Sequence, residues 1–371
     1  MKTLRYIPII IAFIVGVLAA ACSGSDDGPE GGSELTLTAD KTSLSADGSD
    51  QVVFTVKYNS EDVSDSGKMH LRYTRNGGTQ TDMADGTNAF STTLPGTYVF
   101  TAVYTDGEQT LTSRNSVMIA ATGEAQSYER MVLGMQFTST GCQNCPIMST
   151  YMKLIREQHP GLLAVASFHM NYGNYTDPMT QAISATYANK LNVKSLPQFI
   201  PNVRAEKIIG TGKGMEGILE SVQQETETAP TCGVAIESSY DANGREVTVE
   251  AKVTSTAEDK YRYLIMLVED DIQAWQLGVD GNEASAYIHN NVVRSVLSLN
   301  IYGETLNQGN ALTPGAEVTV SRTKVLDNGW NPENMRVIVA ILRSSDDGVT
   351  YFCDNANECA LGQSADYRIK Q

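Results

Sequence analysis

Basic side chains are scarce in this sequence. Its 371 residues include 27 lysines and arginines against 43 aspartates and glutamates, a net charge of −16. A protein that binds nucleic acid usually presents a basic face, so the charge balance argues against nucleic acid as a partner. It also argues against adsorption to anionic lipid by charge alone. The length exceeds one ordinary domain, and two or three domains are expected.

Long hydrophobic runs are almost absent as well. The only one extends from Ile7 to Leu18, which is shorter than the ~20 residues that a transmembrane helix needs. Two basic residues precede it and small residues follow it up to Cys22, as in a secretory signal. The stretch L-A-A-A-C resembles a bacterial lipobox. The sequence therefore predicts a signal peptide over residues 1–21 and a lipid anchor on Cys22 that holds the chain to a membrane.

The residues after Cys22 lack apolar side chains. The stretch S-G-S-D-D-G-P-E-G-G-S is rich in glycine, serine and acidic residues, so residues 22–33 are expected to form a flexible acidic tether. Its Asp26-Asp27 pair resembles the surface-export signal of Bacteroidetes lipoproteins; the alternative is a soluble spacer. We expect a lipid-anchored protein of the outer membrane that is exposed on the cell surface.

Residues 34–122 contain no cysteine, so their core must form without a disulfide. Short runs such as Q-V-V-F-T-V-K-Y and T-Y-V-F-T-A-V-Y alternate apolar and polar residues, and turn residues separate them. Evenly spaced strands of this kind predict a β-sandwich. The run P-G-T-Y-V-F-T-A-V-Y resembles bacterial Ig-like modules, which suggests a spacer or binding module.

The pattern changes over residues 127–229, where apolar strands alternate with helical segments. The strand R-M-V-L-G-M-Q-F leads through T-S-T-G-C-Q-N-C-P into a helix whose inner face carries Met148, Met152 and Ile155. This alternation predicts an α/β layer. Cys142 and Cys145 then lie where a strand gives way to a helix, and a helix N-terminus favours a thiolate.

This arrangement, with S-L-P-Q-F further along, resembles the thioredoxin fold. The strings F-T-S-T-G-C-Q-N-C-P, S-F-H-M and Y-T-D-P-M are similar to the outer-membrane-protein-28-related lipoproteins of the Bacteroidetes. The resemblance implies a thioredoxin-like domain followed by a C-terminal β-domain, with the Ig-like module as an addition. It assigns the attacking position to Cys142, the resolving position to Cys145 and the cis-proline position to Pro197.

Two residues depart from the thioredoxin pattern. Gly141 stands where thioredoxins usually have tryptophan, and Gln136 stands where they carry a buried acid. Because an amide cannot accept the resolving thiol's proton, turnover should be slow. We still expect Cys142 to be the more exposed and more acidic thiol of the pair.

A metal site or a purely structural disulfide could also explain a CxxC motif. Cys353 and Cys359 have five residues between them rather than the two to four of a zinc site, and the four histidines are scattered. A c-type haem needs histidine where Pro146 stands. A ring this small contributes only ~2 kcal/mol as a disulfide. The motif is better interpreted as a thioredoxin-type redox pair, active or relict, with no metal and no cofactor.

Residues 231–371 return to alternating strands and predict a second β-sandwich. In the oxidising space beyond the inner membrane, one disulfide is expected among Cys232, Cys353 and Cys359.

Four polar residues are candidates for binding. His169 and Asp177 could lie beside the thiols, although a loop histidine and a helix-capping aspartate are the interpretation we favour. His289 and Arg294 lie in a segment that resembles a family insertion. They could bind a ligand, but we favour a role in tying the insertion to its own domain.

Two functions remain open. The chain is expected to be a binding or adhesion protein for a protein or host-surface ligand, with the thioredoxin-like domain as scaffold. The alternative is an extracytoplasmic thiol-disulfide oxidoreductase that uses Cys142, Cys145 and Pro197. Gly141 and Gln136 favour the first interpretation.

Overall fold

A computed structural model describes residues 34–370 except 47, 108, 124–126, 299, 346 and 347. The predicted signal peptide, the tether and Cys22 lie outside the described residues. Within the described part, no helix has the length and apolarity needed to cross a membrane. Strands dominate and form several sheets, which confirms the predicted β-rich, multi-sheet organisation.

Two sheets enclose the first core. The strands that contribute to it are β1 Leu35–Ala39, β2 Ser43–Ser45, β3 Val52–Tyr58, β4 Glu61–Asp62, β5 Met69–Arg75, β6 Gln80–Asp82, β7 Ala89–Phe90, β8 Gly96–Asp106, β9 Gln109–Thr112 and β10 Val117–Thr122. One sheet has the order β1-β3-β4 with β7 on β3, and the other has the order β2-β10-β8-β5-β6 with β9 on β8. Alternate residues point inward, as Val52, Phe54 and Val56 do on β3. Aromatic contacts such as Phe54 with Phe100, 4.5 Å between ring centroids, fill this core without a disulfide.

The next segment forms an α/β layer. Its elements are β11 Val132–Thr138, α1 Cys145–Gln158, β12 Leu163–His169, α2 Ala182–Lys190, β13 Gln198–Pro201 and α3 Gly214–Thr226. β11 runs parallel to β12 and antiparallel to β13. Met148, Met152 and Ile155 of α1 pack with α3 on one side of this sheet, as their spacing predicts. α2 contributes Tyr187 to the core on the other side.

The remaining strands extend this sheet and add another. They are β14 Cys232–Asp241, β15 Glu246–Ser255, β16 Tyr261–Glu269, β17 Ile272–Leu277, β18 Glu283–His289, β19 Val292–Val296, β20 Glu304–Thr305, β21 Glu317–Val325, β22 Met335–Ser344, β23 Tyr351–Ala360 and β24 Ser364–Ala365. The long sheet has the order β13-β11-β12-β19-β16-β22-β23, with β20 on β16. A second sheet, β21-β15-β14-β24, shares an apolar core with it. The long sheet contains strands from both sides of the predicted boundary between residues 229 and 231, because β12 pairs with β19 through Ser167 and Val292.

The disulfide predicted among Cys232, Cys353 and Cys359 is not formed. All three are buried free thiols. Cys353 packs in the core next to α2, whereas Cys359 and Cys232 pack in the core between the two sheets. Each thiol has another acceptor: Cys232 bonds to the Asp354 side chain, Cys353 to a backbone carbonyl at 3.2 Å and Cys359 to another at 3.4 Å.

Candidate functional site

The CxxC motif begins in the loop between β11 and α1, residues 139–144, which we call the CxxC loop, and ends at Cys145, the first residue of α1. Cys142 and Cys145 are joined by a disulfide, with 5.4 Å between their Cα atoms. Cys145 and Pro146 open α1, where proline is well tolerated because its missing N–H has no helical acceptor. The Leu196–Pro197 bond is cis, as predicted. Since Gln198 pairs with Phe137, Pro197 lies next to the end of β11 from which the CxxC loop leaves.

Both cysteines are closed off from solvent. Cys142 is 3% exposed and Cys145 is 1% exposed. The expected order of exposure holds only by this small margin, and neither sulfur is presented at the surface as an attacking thiol requires.

A hairpin of β17 and β18, which we call the cover hairpin, lies over the CxxC loop. The Gln276 amide nitrogen donates to the carbonyl oxygens of Thr140 at 3.0 Å and Cys142 at 3.1 Å. The backbone N–H of Leu277 donates to the same Thr140 oxygen at 2.8 Å. The fully buried Gln276 side chain therefore attaches the hairpin to the backbone of the motif.

Tyr175 completes this cover. Its ring lies 5.5 Å from that of Trp275 on the hairpin. A Cβ atom on Gly141 would lie only 2.5 Å from the Cβ of Tyr175. Tyr175 therefore fills the space that any side chain larger than that of glycine would need at position 141.

His169 and Asp177 form a buried pair beside the CxxC loop. His169 Nδ1 and Asp177 Oδ2 are 2.8 Å apart, and the N–H of Thr140 donates to the same oxygen at 2.8 Å. Burial raises the pKa of Asp177, but the bonds from His169 and from backbone amides outweigh burial and hold that pKa below its usual value. Asp177 also accepts from the Met179 N–H at 2.8 Å, within a turn that precedes α2. The N-cap residue of α2 is Gln181, so the helix-capping role that we favoured for Asp177 is wrong, and His169 ends β12 instead of lying in a loop.

The third predicted residue, His289, joins this pair from the cover hairpin. Its ring meets that of His169 edge-on at 5.2 Å. Burial and the neighbouring His169 lower the pKa of His289 to about 4, although its ring donates to the Trp275 carbonyl. Among the described residues, its Nε2 has no hydrogen-bond partner. Within the described residues, no group of three or more His, Cys, Asp or Glu side chains could hold a metal ion.

Arg294, the fourth candidate, pairs with a residue outside the group of His169, Asp177 and His289. Its guanidinium bonds to the Glu269 carboxylate at 2.6 Å, and both side chains are nearly buried. This ion pair ties β19 to β16, which agrees with the structural role that we favoured.

Gln136 belongs to a chain of hydrogen bonds that the sequence did not reveal. Ser167 donates to its carbonyl oxygen at 3.2 Å, and its amide nitrogen donates to the Ser149 hydroxyl at 2.9 Å. The Tyr287 hydroxyl of the cover hairpin bonds to Ser149 in turn. An amide suits this position because it must both donate and accept, which an ionised acid cannot do.

An open cleft lies next to the cover hairpin. Its volume is about 770 Å³, within the range of ~300–1,000 Å³ typical of ligand sites. It brings together His169 and His289 with α1 and the residues after β18. The lining residues are Gln136, Thr138, Ser149, Thr150, Lys153, Arg156, Glu157, Ser167, His169, Asp270, Asp271, Tyr287, Ile288, His289, Asn290 and Asn291. Sequence reasoning singled out only the two histidines as candidates for binding. The other lining residues, polar except for Ile288, come together only in the fold.

The solved structures that resemble this chain share little sequence identity with it. HBP35 of Porphyromonas gingivalis has a TM-score of 0.52 and 14% identity, over 64% of this chain and 76% of that one. A protein of Agrobacterium tumefaciens has a TM-score of 0.40 and 17% identity, over 65% of this chain and 97% of that one. No curated protein matches the sequence.

A family model gives more specific information. The predicted resemblance concerned both the α/β layer and the strands after it, and the matched segment begins in α2 and ends in β23. The resemblance is therefore confirmed, and residues 185–356 of this chain match the family Outer membrane protein Omp28.

Proposed function

We propose that the protein is a surface-exposed lipoprotein of the outer membrane that binds a ligand in the cleft beside the CxxC loop. The observation that carries this proposal is the contrast between two neighbouring sites. The cysteine pair is sealed by the cover hairpin, whereas the cleft next to it is open and lined by polar side chains. The match to an outer membrane protein family supports the location.

The proposed scaffold is a thioredoxin-like domain over residues 127–229. Its support is the order β13-β11-β12, with β11 and β12 parallel and a CxxC motif at the start of α1. An Ig-like sandwich over residues 34–122 is supported by two sheets around one core. The proposed C-terminal sandwich over residues 231–371 is supported by the core between the two later sheets.

The proposed anchor is acylated Cys22. A Cys22→Ser protein should no longer fractionate with the outer membrane, and protease added to intact cells should degrade the wild-type protein. Fractionation of the Cys22→Ser protein with the outer membrane would contradict the anchor.

Binding itself can be tested by surface plasmon resonance against a panel of purified extracellular proteins and glycans. Lys153 lines the cleft from an exposed position on α1, so Lys153→Trp should fill the cleft and weaken binding at least tenfold. Lys190→Trp is the matched control, because Lys190 is exposed on α2 and does not line the cleft. Equal binding by the two variants would contradict the proposal.

The alternative function, thiol-disulfide exchange, needs the cover hairpin to open. Insulin reduction in dithiothreitol separates the two functions. A binding protein should accelerate the reaction no more than its Cys142→Ser/Cys145→Ser variant does, because no substrate can reach Cys142. Acceleration by wild type alone would favour the oxidoreductase.

A further inference from the structure

One edge of the cover hairpin has no partner strand. In the part of the chain that the structure describes, β18 pairs only with β17. At its last residue, β17 bonds to the CxxC loop through the Leu277 N–H. The far edge of β18 therefore presents backbone N–H and C=O groups that another strand could pair with.

The cleft runs along this free edge. Three consecutive residues of β18, Tyr287, Ile288 and His289, line it, and Asn290 and Asn291 follow in the turn to β19. Side chains in a strand alternate between opposite faces, so a surface that faced the cleft would contribute every second residue. Lining by three consecutive strand residues means that the backbone edge itself borders the cleft. An edge of three residues spans ~10 Å.

Helix α1 forms the opposite wall. It contributes Ser149, Thr150, Lys153, Arg156 and Glu157, a spacing that corresponds to one face of a helix. Across the cleft, the Tyr287 hydroxyl bonds to Ser149. The Tyr287 side chain therefore reaches from β18 to the α1 wall at one end of the cleft.

The floor of the cleft comes from the sheet. Gln136 and Thr138 are two residues apart on β11, and Ser167 and His169 are two residues apart on β12. Each pair points to the same side of the sheet. A groove with a strand edge on one side, a helix on the other and side-chain pockets below is the geometry that accepts an added strand.

The charges along the groove are separated. Arg156 is already bonded to Asn291 and Glu358, and Asp270 is bonded to Arg336. Lys153 on the α1 wall lies 3.9 Å from Glu157 in an exposed ion pair, and Asp271 at the end of the groove is exposed as well.

We infer that the cleft binds an extended peptide segment of a partner protein, which adds as a strand to the free edge of β18. This inference rests on the proposed function and names the ligand class of that same cleft. Backbone bonds to β18 supply affinity, and side chains on alternate residues enter the floor. An acidic peptide side chain faces Lys153 and a basic one faces Asp271.

The first test selects peptides from a random twelve-residue library displayed on phage against the folded protein, with synthetic copies measured by surface plasmon resonance. Selected peptides should bind Lys153→Trp at least tenfold more weakly than wild type. They should bind Lys190→Trp within twofold of wild type. Failure to select any peptide that discriminates the two variants overturns the inference.

The second test separates strand addition from other peptide binding. Peptides N-methylated at alternate residues lose N–H donors on one side of the strand only. N-methylation of the residues whose N–H groups face β18 should weaken binding at least tenfold. N-methylation of the residues between them should have little effect. Hydrogen exchange within residues 287–289 should also slow in the complex. Equal tolerance of both alternations, with unchanged exchange at these residues, overturns strand addition.

The outcome also distinguishes this inference from the proposed function. One outcome is that a glycan from the panel binds wild type and binds Lys153→Trp more weakly, while no peptide competes with it. In that outcome the cleft is a binding site but not a peptide groove. If neither glycans nor peptides distinguish Lys153→Trp from Lys190→Trp, both proposals fail.

Discussion

At the scale of single residues, Gly141 and Tyr175 decide how closely the aromatic cover approaches the CxxC loop. Gly141→Ala places a methyl group 2.5 Å from the Tyr175 Cβ, so Tyr175 and its partner Trp275 must move. We expect the free energy of unfolding to fall by about 1–3 kcal/mol, measured by urea denaturation.

A double mutant tests the cause of that loss. In the Tyr175→Ala background the clash with Gly141→Ala is gone, so the added alanine should cost much less than it does in wild type. The same cost in both backgrounds would show that Tyr175 is not the obstacle.

His289 should make stability depend on pH. The unfolded chain takes up a proton on this histidine near pH ~6.5, whereas the folded chain does so only near pH 4, because the ring is buried and faces His169. Acid therefore favours the unfolded state between these values. The free energy of unfolding should fall as the pH is lowered from 6.5 to 4, by up to ~3 kcal/mol.

The groups that face His289 from other elements are His169 and Asp177, and Tyr287 faces it from its own strand. His289→Gln removes the titrating group while keeping an amide that can donate to the Trp275 carbonyl. Urea denaturation at several pH values should show a shallower pH dependence for this variant. An unchanged slope would contradict the assignment.

At the scale of elements, the cover hairpin is attached mainly by polar contacts. Of the residues on β17 and β18, only Gln276 and His289 are buried, so little apolar burial holds the hairpin in place. Gln276→Glu replaces the donating nitrogen by a carboxylate oxygen facing the carbonyls of Thr140 and Cys142. We expect hydrogen exchange in residues 272–289 to speed up at least tenfold. Opening of the hairpin removes the repulsion between the carboxylate and the two carbonyl oxygens and lets water hydrate the carboxylate.

The same variant should expose the disulfide. Dithiothreitol should reduce Cys142–Cys145 faster in Gln276→Glu than in wild type. Gln273→Glu is the matched control, since Gln273 is exposed on the same strand. Similar exchange and reduction rates for both variants would show that Gln276 does not hold the hairpin closed.

At the scale of the whole molecule, the long sheet joins segments that are distant in sequence. Leu264 and Met266 of β16 pack in the same core as Leu133 and Phe168. A fragment of residues 127–229 would lose these neighbours and expose the β12 edge that pairs with β19. We expect that fragment to lack a cooperative urea transition by circular dichroism.

The fragment of residues 34–122 provides the comparison. Its core is formed by its own strands. The hydrogen bonds that it loses join Arg75 to Thr254, Asn76 to the Pro314 carbonyl and the Thr79 N–H to the Glu317 carbonyl, and they leave polar groups that water can solvate. It should unfold cooperatively. A cooperative transition of the 127–229 fragment would instead support an independent domain with the predicted boundary.

Much of the local structure followed from the sequence alone. The inward face of α1 and the alternation on β3 were predictable, because side-chain direction repeats with the local backbone geometry. The placement of the CxxC motif at the junction of β11 and α1, and the resemblance to an outer membrane protein family, were also readable from residue types and spacing.

Tertiary structure decided how the parts meet. No periodicity shows that β19 would join β12, or that a hairpin from residues 272–289 would cover Cys142. Such pairings depend on which apolar faces are buried together across the whole chain. The free thiols have the same cause: Cys353 and Cys359 lie on one strand but pack in different cores, and a disulfide depends on positions in space rather than on a count of cysteines.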